Sequence, residues 1–424
     1  MNKNENAWKK LFEKYHILEE IDKNGSFVIT ADQIKEFREP RLMTKFDHKN
    51  NLPKIFSENN LSILPLTRGD YIISSFCAYK EFEEISTESE RVSLPANIQS
   101  LTPNFIISEA IALNYANASG ILKDFLEDDN LVATVSGRMS SEKFNFNIDT
   151  ATGMRELEVN NSQIEIDAAY EGVKYLSLFE AKKHLADDFL VRQLYYPFRV
   201  WKERVSKDVK LVFLIFSNGV FHLYQYQFDD PMSYNSLRLV KQKSYVISKE
   251  ISLFDIEELL RTTKISQEPN NIAFPQANNM ARIVNLIELL TEKPMTKQDI
   301  TATYDFDERQ TNYYTDAGRY LGLIEKHKNE KGEILFSLST LGKNIMSRDY
   351  RERNLLMTAQ ILKHNAFYET LKIHLESGDM PSLDKIVGIM KSSQLHNVVA
   401  DSTYYRRSST ITGWINWILK LIEE

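Results

Sequence analysis

The chain has 424 residues, 42% hydrophobic and 26% charged, with 23 Phe, 20 Tyr, 14 Gly and 11 Pro. This composition excludes disordered, collagen-like and low-complexity proteins, and at roughly 150 residues per domain it suggests two or three domains. Fifty-two basic against 59 acidic side chains leave a net charge of −7, which excludes a surface coated in positive charge and restricts any nucleic-acid contact to local patches.

A single cysteine, Cys77, rules out an internal disulfide and a cysteine-based zinc site, and the eight His lack metal-ligand spacing. No apolar run reaches the roughly 18 residues of a membrane span, and Met1 to Glu20 lacks the apolar centre of a signal peptide. The expectation is a soluble, cytoplasmic protein with no membrane partner.

In chain order, Ser26 to Thr30, Leu61 to Leu66 and Tyr71 to Phe76 read as short strands and Ala31 to Phe37 as a helix. Residues 1–99 thus form a small α/β region. Within it Lys35, Arg38, Arg41, Lys45, Lys49 and Lys54 outnumber Glu36, Glu39 and Asp47, a patch suited to DNA or simply a solvated loop. From Pro103 to Phe125, Phe105, Ile106, Ala110, Leu113, Ala116, Ile121, Leu122 and Phe125 recur at helical spacing, with a break at Gly120. Leu131 to Val135 and Phe144 to Ile148 are strand-like, and Gln163 to Ala169 with Lys174 to Glu180 flank a turn at Glu171-Gly172. Asp187 to Arg204 reads as a helix kinked at Pro197. Lys210 to Phe216 and Val220 to Phe228 are strands joined by Asn218-Gly219, a strong hairpin signal. These elements make one α/β unit over residues 100–265.

Beyond Ser266 to Asn271 the pattern becomes helical: Ala281 to Leu290, Lys297 to Thr303 and Glu308 to Leu321. Gly322 ends the third helix, and Leu323 to Lys328 with Glu333 to Leu338 form a hairpin, so residues 272–347 read as a winged helix. Residues 348–424 are again helical. There Arg406 and Arg407, followed by Ser408, Ser409 and Thr410, read as the start of a second recognition-type helix that continues into Trp414 and Trp417.

The chemistry concentrates between residues 163 and 182. Strand alternation sends Ile164 and Ile166 to one face and Glu165 and Asp167 to the other. Across the turn, Glu180 and Lys182 share a side at the end of a strand of opposite direction. Two carboxylates and a main-chain carbonyl offer hard oxygen ligands for Mg²⁺, and an ammonium stabilises phosphate charge or orients water. The same acid-x-lysine spacing also occurs at Asp208-Val209-Lys210 and Asp47-His48-Lys49, but only Glu180-Ala181-Lys182 follows an acidic strand and precedes an amphipathic helix.

These residues resemble the PD-(D/E)xK nuclease superfamily, and more closely its type II restriction endonucleases with an appended winged-helix region. The resemblance rests on Glu165-Ile166-Asp167, Glu180-Ala181-Lys182, the stretch Phe189 to Arg199, the stretch Arg309 to Leu323 and the opening Arg38 to His48. No proline precedes Asp167, and either Asp167 or Glu165 can serve as the first metal ligand. The resemblance implies a mixed-sheet α/β core with helical C-terminal domains. It implies that Asp167, Glu180 and the Ala181 carbonyl bind Mg²⁺, that Lys182 is the positioned cation, and that the products carry 5′-phosphate and 3′-hydroxyl ends. Glu109 matches an extra acid on the helix before the core, and Gln193 a glutamine that RecB-like nucleases place near the metal. Arg192 is a candidate phosphate contact.

In the third helix of the winged-helix segment, Arg309, Gln310, Asn312, Tyr313 and Tyr314 are residue types that reach base edges and phosphates, although many winged helices contact proteins instead. The expected function is Mg²⁺-dependent, sequence-specific cleavage of double-stranded DNA by a homodimer, with a cognate DNA methyltransferase as functional partner. A repair or mobile-element nuclease, or a non-catalytic winged-helix regulator whose acidic trio is a surface ion-pair cluster, are the other readings.

Overall fold

The computed structural model describes residues 3–84, 89–101, 106, 108–247, 251–304, 306, 308–330 and 332–423. The protein is mixed α/β and divides into two units, one of residues 1–86, 108–215 and 222–243 and one of 87–107, 216–221 and 244–424. The first unit's last segment ends at residue 243, inside Leu237–Val246, a strand that the sequence pattern does not predict. No helix among the described residues is long and apolar enough to cross a membrane.

The first 73 residues bring their own apolar cluster. Helices Lys3–Lys14 and Ile17–Asn24, which the sequence reading left out, bury Trp8, Leu11, Phe12 and Ile17 against Phe56 and Ile73. The Trp8 and Phe56 rings meet edge to face at 4.8 Å. Strands Phe27–Thr30 and Ser62–Pro65 flank Asp70–Ser74 in an antiparallel sheet, and Thr30 caps the helix Ala31–Lys35 through a reciprocal bond pair with Gln33.

The main sheet contains β1 (Val132–Ser140), β2 (Gln163–Glu171), β3 (Tyr175–Lys182), β4 (Asp208–Ser217), β5 (Val220–Phe228) and β6 (Leu237–Val246), in the order β6-β5-β4-β3-β2-β1, with the two-residue strand Glu90–Arg91 pairing parallel to β6 at its outer edge. β3 is buried along nearly its whole length and pairs antiparallel with β2 and parallel with β4, so the sheet is mixed. The parallel pair requires a crossover, supplied by helix Arg192–Arg204, which buries Leu194, Tyr195, Tyr196, Phe198 and Val200. That helix starts later than expected. Residues 188–190 form a short strand antiparallel to Tyr79–Glu81, a partner more than 100 residues away that helical periodicity cannot reveal.

Helices Glu109–Ala118 and Ile121–Leu126 are separated by Gly120 at φ 84°, and Ser108 caps the first by accepting from the Ile111 N–H. The earlier part of that predicted helix, including Phe105, lies outside the described residues. Edge strand β1 pairs with β2 through two register shifts, between Ala133 and Val135 and between Val135 and Gly137, the glycine at φ 98°.

In the second unit, helices Met280–Glu292, Lys297–Thr303 and Glu308–Tyr320 precede strands Ile324–Lys328 and Ile334–Leu338, and Met295–Thr296 adds a third strand beside Ile334–Leu338. Helices Thr340–Met346, Tyr350–Leu362, Asn365–Ser377, Leu383–Ser392 and Asp401–Glu423 complete it around Ile283, Phe367, Ile411 and Trp414. The last helix begins at Asp401, so Arg406 to Thr410 lie inside it rather than at its start. Ser408 and Ser409 hydroxyls donate to the carbonyls of Tyr405 and Arg406, three residues back. The segment before residue 280 is pinned to this helix: Arg407 donates to the Phe274 carbonyl (2.6 Å), Thr410 to that of Pro275 and Trp414 to that of Ala277.

The Asn218-Gly219 turn between β4 and β5 also belongs to the second unit. Both residues have positive φ, 51° and 77°, as a two-residue hairpin of this hand requires. Glu288 accepts from the Asn218 N–H and the Ser217 hydroxyl, and Tyr350 packs where a Gly219 side chain would stand. A Cβ at Gly219 would come within 2.5 Å of the Tyr350 ring. Gly219→Ala is expected to cost about 2 kcal/mol from backbone strain and this clash, read as a lowered urea midpoint with unchanged slope.

Candidate active site

The site forms where β2 and β3 part. Their ladder runs from Leu176 opposite Glu171 to Phe179 opposite Ala168 and stops there. At the next position the Asp167 side chain replaces a main-chain acceptor, with Oδ2 taking the Ala181 N–H at 2.8 Å. The separation turns Asp167 towards the end of β3 and leaves its second oxygen for another partner. Glu180 and Lys182 follow on the side predicted for them, and the Lys182 ammonium donates to Glu180 Oε1 at 2.5 Å and to the Ala181 carbonyl at 3.3 Å. Gln193, in the first turn of the crossover helix, donates to the same Glu180 Oε1 at 2.6 Å. Both bonds fall on one oxygen, so Oε2 of Glu180 is open to a further partner.

The electrostatics show a shortage of positive charge. Glu180 is 7% exposed. Burial pushes its carboxyl up to about 8; the Lys182 ammonium opposes this, and the carboxylates of Asp167 and Asp47 reinforce it. Burial also draws the Lys182 ammonium down, but Glu180, Glu109, Asp47 and Asp167 together carry it above its ordinary value. Glu109, half-buried at the start of its helix, is likewise raised by burial, with Lys182 opposing and Asp167 reinforcing. Four acids thus surround one buried lysine, with the exposed Lys45 beside Asp47 (3.5 Å). Such a group retains protons or takes up a cation.

The oxygen donors of Asp167, Glu180 and the Ala181 carbonyl suit a hard divalent ion such as Mg²⁺, and the surplus of acid is what such an ion neutralises. The residues therefore fit the implied metal. Among the described residues, no three His, Cys, Asp or Glu side chains stand close enough to hold a metal by themselves. Glu165, on the same face of β2, pairs with Arg138 at 3.2 Å and is half exposed, whereas Asp167 reaches the Ala181 N–H. Asp167 is thus the better-placed first carboxylate.

Asp47, His48 and His184 are the site residues that sequence reasoning missed. His48 is buried and its Nε2 meets His184 Nε2 at 2.8 Å. Asp47-His48-Lys49 carries the acid-x-lysine spacing but was set aside because nothing local distinguishes it; its partner lies 136 residues further on.

The other predicted contacts are dispersed. Arg41 and Lys45 are exposed and Arg38 half-buried in the N-terminal region. Arg192 lies over the Tyr196 ring at 5.6 Å, with its Nε buried and unpartnered. In the second unit Arg309 and Asn312 are exposed, Gln310 and Tyr313 are half-buried, and Arg309 donates to the Tyr313 hydroxyl. Arg406 is exposed, whereas Arg407 is partly buried and committed to the Phe274 carbonyl. Burial lowers the Arg407 guanidinium, with Arg406 adding and the Tyr313 hydroxyl opposing. Tyr313 and the Arg406-Arg407 pair, on two different helices, are therefore neighbours.

Residues 5–73, 74–246 and 282–423 match three families, each described as a domain of unknown function (DUF6996, DUF6997 and DUF7226). No curated protein and no solved structure matches the chain. The first match covers the segment with the N-terminal apolar cluster and Asp47-His48, and the second covers Glu109, Asp167, Glu180, Lys182 and Gln193.

With its pKa raised, the Glu180 carboxyl is mostly protonated at pH 7, and a cation that uses it must displace the proton. Mg²⁺ titrated at pH 7 in buffers of different ionisation enthalpy is expected to release protons, up to about one per site. The release should vanish above pH 9, where the carboxyl is already ionised, and in Glu180→Gln at any pH.

Proposed function

We propose that this chain is a Mg²⁺-dependent, sequence-specific endonuclease of double-stranded DNA, a type II restriction enzyme with a PD-(D/E)xK core and a winged-helix segment over residues 272–347. The observation that carries this reading is the convergence of Asp167, Glu180, the Ala181 carbonyl and Lys182 at the parting of β2 and β3, inside a surplus of acid.

Asp167, Glu180 and the Ala181 carbonyl would hold the Mg²⁺, which supplies Lewis acidity at the scissile phosphate and an acidified water. The remaining work falls to the chain itself. Gln193 fixes Glu180 Oε1, and Asp167 is oriented by the Ala181 N–H, so neither carboxylate has to reorganise during the reaction. The Lys182 ammonium, charged throughout the working pH range, faces the charge that grows on the phosphoryl oxygens as water attacks phosphorus in line. The P–O3′ bond then breaks to leave a 3′-hydroxyl and a 5′-phosphate. Arg38, Arg41, Lys45 and Arg192 in the first unit, and Arg309, Gln310, Asn312, Tyr313 and Arg406 in the second, are the candidate DNA contacts. Cleavage of both strands of a palindromic site calls for two copies of the chain, and a cognate methyltransferase would protect host DNA in the cytoplasm.

Digestion of unmethylated phage DNA by the purified protein tests this. Discrete fragments that require Mg²⁺ and disappear with EDTA are expected, with at least a 100-fold loss of rate in Lys182→Ala. A smear would place the chain among repair-type nucleases, and DNA bound but uncut would make it a binding module. Binding itself is expected to weaken at least tenfold between 50 and 200 mM salt, as measured by fluorescence anisotropy, because local Lys and Arg displace counterions even on an acidic protein.

A further inference from the structure

The segment from Phe46 to Lys49 is fastened to the core at each of its four residues. The Tyr79 hydroxyl donates to the Phe46 carbonyl at 2.9 Å, and the Leu190 N–H donates to that of Asp47 at 3.0 Å. His48 Nδ1 lies 2.6 Å from the Asp188 carbonyl, and the Lys49 N–H reaches both carboxylate oxygens of Asp188 at 3.2 Å. Three of these bonds go to the short strand at residues 188–190. The bond between His48 and His184 is different, because it joins the segment to the chain just beyond the reaction strand β3.

The hydrogens of that bond follow from its partners. A carbonyl only accepts, so the His48 Nδ1 that faces Asp188 carries a hydrogen. The same Nδ1 stands 3.4 Å from the Asp188 carboxylate, and the His48 Nε2 meets the His184 Nε2 at 2.8 Å across nearly perpendicular rings, so the two Nε2 atoms share one hydrogen. Burial holds His184 far below its ordinary range, with the charges of His48, Lys182 and Lys45 acting in the same direction, so it enters the bond as a neutral imidazole. Each histidine sits next to a reaction-site residue: His48 directly follows Asp47, and His184 comes two positions after Lys182. One side-chain bond therefore links two segments 136 residues apart directly, one bearing Asp47, the other Glu180 and Lys182.

We propose that the His48–His184 hydrogen bond is a positioning latch for the reaction centre, holding Asp47 near the end of the strand that carries Glu180 and Lys182. The proposal rests on the endonuclease reading and assigns the two histidines to the cleavage step rather than to DNA affinity. They are positioning residues: they act through Asp47 and Lys182, and a misplacement of the order of 1 Å at such a centre costs about 100-fold in rate.

The test compares wild type with His184→Phe, His184→Asn and His184→Gln in single-turnover cleavage. DNA affinity is measured separately with Mg²⁺ withheld, and ¹⁵N-histidine spectra are recorded for each protein. His184→Phe is expected to lose about 100-fold in cleavage rate with DNA affinity within threefold of wild type. His184→Gln, whose amide reaches His48 Nε2 and can donate to it or accept from it, is expected to recover at least tenfold of that loss. His184→Asn keeps polarity but holds its donor short of His48, so it too should be slow, and it carries the comparison if the Phe variant fails to fold. Wild-type spectra are expected to show a hydrogen on His48 Nδ1 and one hydrogen held between the two Nε2 atoms. Unchanged cleavage in a folded His184→Phe or His184→Asn overturns the latch while leaving the endonuclease reading intact. Wild type that cuts no DNA overturns the endonuclease reading, and with it the latch's role in cleavage, whatever the spectra show.

Discussion

One constraint organises the first unit: β2 and β3 must separate after Phe179 and Ala168, and the donor exposed by that separation must still be satisfied. Asp167 answers the Ala181 N–H with a side-chain carboxylate. This turns a break in the ladder into a fixed acid next to Glu180. The parallel pairing of β3 with β4 holds the other side of the strand through Lys182, opposite Ile215, so the strand keeps its line while its neighbour departs. The crossover helix demanded by that parallel pair then arrives with Gln193 in its first turn, within reach of Glu180.

The acids gathered there oppose folding. A carboxyl whose folded pKa is raised binds its proton more tightly in the native state, so the stability it contributes is fully present below its unfolded value. That stability is lost as pH rises towards the folded value. For Glu180 the window lies between about 4.5 and about 8. The native apoprotein is thus weakened by its own site at neutral pH, and the surrounding aromatic core offsets this. Phe82, Phe189, Phe213 and Tyr224 pack with ring centroids about 5 Å apart in the same unit. Stability held back at a buried charged cluster is a common mark of groups kept for chemistry rather than for the fold.

The sequence made legible what is local or periodic. Alternation in Gln163–Glu171 put Asp167 and Glu165 on one face, Asn218-Gly219 marked a real turn, and Gly120 and Gly322 ended helices at the expected places. What stayed hidden depends on partners remote in the chain. Residues 188–190 continue a helical-looking pattern, yet they pair with Tyr79–Glu81. Asp47-His48-Lys49 resembled a chance spacing because its meaning lies in Asp188 and His184. Arg406 and Arg407 had the composition of a helix start, but the helix begins five residues earlier, and one of the two arginines is spent on a main-chain carbonyl. Residue type revealed the chemistry available; long-range pairing determined which copies of each motif are assembled.

The two register shifts in β1 also bear on how copies of this chain meet in solution. An edge strand of nine residues normally offers a second chain a template for continuous pairing. Here the spacing of donors and acceptors changes twice within that length, and Gly137 bends the backbone out of line. Only Gly137 to Ser140 run in step without interruption, four positions beyond the second shift. Such irregularity disfavours sheet-to-sheet fusion along this edge, and with it a common path from a folded β protein to a fibre.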